Sequence, residues 1–75
     1  METNLCCIRP GMEAVVVEIS ADQALERRLR DFGFVPGTVV RCRYRAPGGG
    51  VTALEFRGTV VALHTRDLRK IRVRR

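Results

Sequence analysis

Long hydrophobic runs are missing from this chain: its longest apolar stretches, such as Ala14 to Val17 and Thr59 to Leu63, fall far short of a membrane-spanning helix, which needs roughly 20 residues. No membrane span is expected. The opening METNLCC has neither a basic start nor an apolar core segment, so no secretory signal is expected and the cytoplasm is the expected location. Cysteine is scarce and odd in number: Cys6, Cys7 and Cys42 do not make a disulfide framework, and neighbours on a strand would point to opposite faces. Cys42 fits the inward side of a strand as a small core residue. His64 is the only histidine, and neither Cys6 nor Cys7 stands at ligand spacing from it, so these three are weak metal candidates and no cofactor is expected.

Reaction chemistry is also lacking. No nucleophile pairs with a base, no carboxylates pair with each other, and Gly48-Gly49-Gly50 is not followed by the lysine and helix of a phosphate-binding loop. The glycines read as a loop tip, and a binding or regulatory module rather than an enzyme is expected. Aromatics are few, one tyrosine and three phenylalanines, and they fall at core-like positions. That weighs against single-stranded nucleic acid, whose binders add aromatic platforms for stacking. Acids are scarce beyond residue 26: residues 27–75 hold 13 bases against Asp31, Glu55 and Asp67. Arg41, Arg43 and Arg45 alternate along one predicted strand, and Arg66, Arg69, Lys70, Arg72, Arg74 and Arg75 crowd the end of the chain. A basic nucleic-acid module is therefore the second reading, and a metal-sensing regulatory domain the third.

What is present is one small domain, residues 1–75, with little surface to bury. Its organising stretch is Leu25 to Cys42. Leu25, Leu29 and Phe32 share one helical face, with Arg27, Arg28, Arg30 and Asp31 on the other sides. Ser20 followed by Gln23 reads as a capping box. Gly33 reads as the left-handed stop after which Phe34 folds back on Leu29. Arg9-Pro10-Gly11 and Val35-Pro36-Gly37 are turns. Strands are expected at Glu13 to Ile19 with Val15, Val17 and Ile19 on one face, and at Thr38 to Arg45 with Val40, Cys42 and Tyr44 inward and the three arginines outward. Two more follow at Val51 to Phe56 and Thr59 to Leu63, joined by a tight Arg57-Gly58 turn. Ala46 to Gly50 is a flexible hairpin loop, Thr65 caps one helical turn, and Ile71 to Val73 is a last short strand. Five or so strands and one helix make a mainly β fold: a small, partly open SH3-like β-barrel with a helical turn near the C-terminus.

The run from Arg28 to Gly37, RLRDFGFVPG, resembles the helix, glycine stop and Pro-Gly turn of the ferrous iron transport protein A (FeoA) family of small bacterial cytoplasmic proteins. Ala46-Pro47 with its glycines, Glu55-Phe56-Arg57-Gly58, Ala62-Leu63 and Asp67 to Val73 follow in the family's order, so the resemblance runs from Leu5 to Val73. It implies an SH3-like barrel that works beside the ferrous iron permease (FeoB-type) of the inner membrane, through the permease's cytoplasmic GTPase portion. It also implies a domain that occurs fused to metal-dependent repressors. His64 stands where the family more often has arginine, and Cys6-Cys7 departs from its pattern. For partner contact, the exposed helix residues Arg27, Arg28 and Arg30 and the loop Pro47, Gly48, Gly49 and Gly50 are the expected surface. The short unpaired edges of such a barrel also allow a homo-oligomer.

Overall fold

A computed structural model describes residues 1–75. In chain order it contains β1 (Glu2–Asn4), a 3-10 turn (Leu5–Cys7), β2 (Glu13–Ile19), α1 (Gln23–Asp31), β3 (Val39–Arg45), β4 (Val51–Phe56), β5 (Thr59–His64), α2 (Thr65–Leu68) and β6 (Ile71–Arg74). The six strands form one antiparallel sheet in the order β1-β6-β2-β3-β4-β5. It curls around a single cluster of 15 buried apolar residues but does not close, leaving β1 and β5 as edges. The last strand of the chain lies between the first two. β1 was absent from the sequence reading because three residues with one half-buried position carry no period.

The helix ends as expected and begins differently. Gly33 has φ +84°; its N–H donates to the Arg30 carbonyl and the Phe34 N–H to the Leu29 carbonyl, at 2.9 and 2.8 Å, which satisfies two of the carbonyls the helix end leaves open. At the start it is Asp22, not Ser20, that caps: its Oδ1 accepts from the Leu25 N–H at 2.8 Å. A carboxylate does this better than a hydroxyl because it also faces the positive end of the helix. Leu25 and Leu29 are buried, but Phe32 is 47% exposed, because the chain is already leaving the helix there and Phe34 takes the core place instead. Phe34 meets Phe56 edge to face with ring centroids 5.0 Å apart.

The following Pro-Gly turn is pinned by Thr38, a buried residue whose hydroxyl accepts from the Val35 N–H and donates to the Gly33 carbonyl, both at 3.2 Å. In β2 the core side is Ala14 and Val16. Val15, Val17 and Ile19 are half-buried, and the pairing with β6 slips between Val16 and Glu18. In β3, Val40 and Cys42 face inward as expected, but Tyr44 is 57% exposed. Cys42 pairs with Leu54 and Tyr44 with Ala53, so Arg43 is an extra residue, a β-bulge that reverses the alternation beyond it. Arg45 turns in as a result. Its guanidinium donates to the carbonyls of Cys6 and Ile8 at 3.1 and 3.0 Å and to the Thr52 hydroxyl at 3.3 Å, tying β3 to the 3-10 turn. Near the C-terminus His64, not Thr65, is the cap of α2, and the Thr65 hydroxyl instead pairs with that of buried Thr52 at 2.9 Å.

Candidate functional site

The three helix arginines expected to form one contact surface are divided by the geometry. Arg30 forms an ion pair with Glu26 one turn back, at 2.8 Å, and leans over a groove of about 230 Å³ whose walls include Val17, Ile19, Phe34 and Pro36. Arg27 points into a polar hollow with Gln23 and Glu26. Arg28 lies on the other flank, where it joins Leu25, Val51, Ala62, Leu63 and His64 around a groove of about 260 Å³. That second groove reaches Val51, the residue after the glycine loop, so Arg28 and the end of the Pro47 to Gly50 loop stand at the same end of the molecule. Pro47, Gly48 and Gly50 are exposed and Gly49 half-exposed; Ala46 bonds Val51 and Gly49 across the base of this hairpin.

The strand arginines of the nucleic-acid reading are spoken for. Arg41 pairs with Glu13 at 2.7 Å and Arg43 with Glu55 at 3.2 Å, while Arg45 is the inward strut described above. Arg72 pairs with both Glu2 and Glu18, and Lys70 reaches Asp67 at 4.0 Å. Apart from Arg45, whose partners are neutral, the side-chain cations with no acidic partner are Arg9, Arg27, Arg28, Arg57, Arg66, Arg69, Arg74 and Arg75. Exposed pairs contribute little to stability, but they decide where net positive potential survives: at α1, at the β4–β5 turn and around α2.

Cys6 and Cys7 lie on the 3-10 turn rather than on a strand, so they sit side by side and not on opposite faces. Burial pushes the Cys6 thiol up, with Cys7 adding to it. A hydrogen bond from Thr3 holds the exposed Cys7 thiol below its ordinary range. His64 does not join them, and no group of three or more His, Cys, Asp or Glu side chains gathers at a single point.

One feature escaped sequence reasoning. β5 is an edge strand that carries no Asp, Glu, Lys, Arg or Pro across Thr59 to His64, and its Val60 is 58% exposed. The absence of charge was visible in the sequence, but that this strand would be an edge depends on strand order, which local pattern does not encode.

A family model for the FeoA domain matches residues 3–75. The chain belongs to the FeoA family. It is similar to the FeoA protein of Chlorobium tepidum, with 26% identity and a TM-score of 0.92, over 96% of this chain and 69% of that one. It is also similar to the zinc-bound FeoA of Stenotrophomonas maltophilia, described as a prokaryotic SH3-domain protein, with 31% identity and a TM-score of 0.82 over 95% of this chain and 88% of that one. A manganese-dependent transcriptional repressor shares the fold, with 23% identity and a TM-score of 0.87; 97% of this chain matches 41% of that one. No curated protein matches the sequence. The sheet is thus the SH3-like sheet of the FeoA proteins, a family of ferrous iron transport accessories, and no helix of this member is long and apolar enough to cross a membrane.

Proposed function

We propose that this FeoA protein is a non-enzymatic, cytoplasmic accessory of ferrous iron uptake that acts by contact with the cytoplasmic GTPase part of the ferrous iron permease. The observation that carries the reading is the family match across residues 3–75. Its geometry supports a docking role: a rigid curled sheet presents two grooves beside one helix, with unpaired Arg27 and Arg28 between them. Rigid scaffolds bearing exposed loops and side chains are the usual form of a binding module. The surplus of positive charge would steer it toward an acidic face. A pull-down with the permease's cytoplasmic domain, with and without guanine nucleotide, is expected to recover the complex, and Arg27→Glu with Arg28→Glu to lose it. Recovery of nothing in either nucleotide state would overturn the proposal.

A further inference from the structure

The β4–β5 turn fixes which backbone groups of β5 are free. Arg57 and Gly58 both have positive φ, +54° and +75°, which makes a two-residue turn of the type that closes on a doubly hydrogen-bonded pair, here Phe56 with Thr59. The bonded pairs then recur at every second position, Leu54 with Val61 and Thr52 with Leu63. The 2.9 Å bond from the Thr65 N–H to the Gly50 carbonyl continues the same phase two residues on. Val60, Ala62 and His64 therefore turn both their N–H and C=O groups away from β4. None of the turn, loop and cap bonds of the backbone involves Thr59 to Leu63, and at His64 the N–H is the free group, because its carbonyl is the N-cap acceptor of α2. The same three residues are exposed, on a strand with a regular register and no bulge.

Sheet edges are ordinarily blunted by charge, proline, bulges or brevity. At the other edge β1 is three residues long and carries Glu2, which is paired to Arg72. β5 has six residues and none of these devices. Its surroundings are selective instead: Arg66 follows it and Arg28 borders the groove along its flank, both without acidic partners, while Arg57 is turned away over Gly33. Of the acids nearby, Asp67 in the groove reaches Lys70 at 4.0 Å, and Glu55, opposite Val60, is paired with Arg43. Leu25, Ala62 and Leu63 give the groove an apolar floor.

We propose that β5 receives an extended, acidic segment of a partner protein as a seventh strand of the sheet, with main-chain bonds to Val60, Ala62 and the His64 N–H and carboxylates set against Arg28 and Arg66. A second copy of this chain is the poorer occupant. Its own β5 has no carboxylate across Thr59 to His64 to set against Arg28 and Arg66. The assignment rests on the edge and its charges, and holds whether or not the partner is the permease.

The probe is a blocked peptide of alternating valine and threonine flanked by two glutamates at each end, with a lysine-flanked counterpart, titrated into isotope-labelled protein and followed by amide NMR. The acidic peptide is expected to shift the Val60, Ala62 and His64 amides, to slow their exchange with solvent, and to bind at least ten-fold more tightly than the lysine peptide. Ala62→Pro, which removes one outward N–H, should weaken it ten-fold or more. Arg28→Glu with Arg66→Glu leaves the backbone untouched and should reverse the preference between the two peptides. Equal binding of both peptides, shifts confined to other strands, no shifts at millimolar peptide, or a dimer through β5 in the free protein would each overturn the assignment.

Discussion

A single turn of α1 holds side chains with opposite duties. Leu29 is 1% exposed, packed between helix and sheet, so Leu29→Ala is expected to cost about 2 to 5 kcal/mol through lost burial and a residual cavity. Next to it Arg30 is solvated and paired only with Glu26, and Arg30→Ala should stay within about 0.5 kcal/mol. Gly33→Ala falls between, at roughly 1 kcal/mol or more, because it forces a β-carbon to φ +84°. The added atom would also stand 3.2 Å from the Cδ of Arg57, a flexible side chain that can yield, so the backbone term dominates. Urea denaturation of the three variants checks the order. The thiols give a second test: Cys7, exposed and with its thiol lowered by Thr3, is expected to react first with iodoacetamide, and its rate should rise at a lower pH than that of an ordinary thiol. Buried Cys42 should stay unmodified in the native protein, by mass spectrometry. The sequence made Leu29 and Gly33 readable because a helical face and its glycine stop are local patterns. Phe32 continued the same period, and only the helix's ending one residue earlier sent it to solvent.

Among the elements, β3 shows where alternation misleads. Its first half obeys the inward and outward pattern read from the sequence, and the bulge at Arg43 inverts the second half, a change that no property of Arg43 itself announces. The outcome is a division of labour among three arginines that look equivalent in the sequence. Arg45→Ala should cost about 1 to 3 kcal/mol, since it strips partners from the Cys6 and Ile8 carbonyls, whereas Arg43→Ala, which loses one exposed pair with Glu55, should cost under about 1 kcal/mol. Thermal and chemical unfolding of the two variants separates them. The helix and five of the six strands were legible because each has its own period, and β1 alone was too short to show one. Of the expected contact residues, Arg28 lies in a groove whose far wall the strand order supplies, whereas Arg30 is drawn off by Glu26, an i, i+4 pair within the helix that the sequence already contains.

At the scale of the whole molecule, the ends of the chain meet: Glu2 pairs with Arg74, and the Arg75 N–H donates to the Met1 carbonyl at 3.0 Å. β6 is wedged between β1 and β2 and contributes Ile71 and Val73, both 0% exposed. A chain ending at Lys70 is therefore expected to lack cooperative unfolding and dispersed amide NMR signals, because it opens the middle of the sheet rather than trimming a margin. The same wedge has a consequence for synthesis. While residues 71–74 are still inside the ribosome, β2 has no neighbour on that side and β1 has none at all, so the nascent domain stays incomplete until its final segment emerges. Folding is then held back to the release of that segment, and prematurely terminated chains would be left open to proteases rather than accumulating as competent but defective copies.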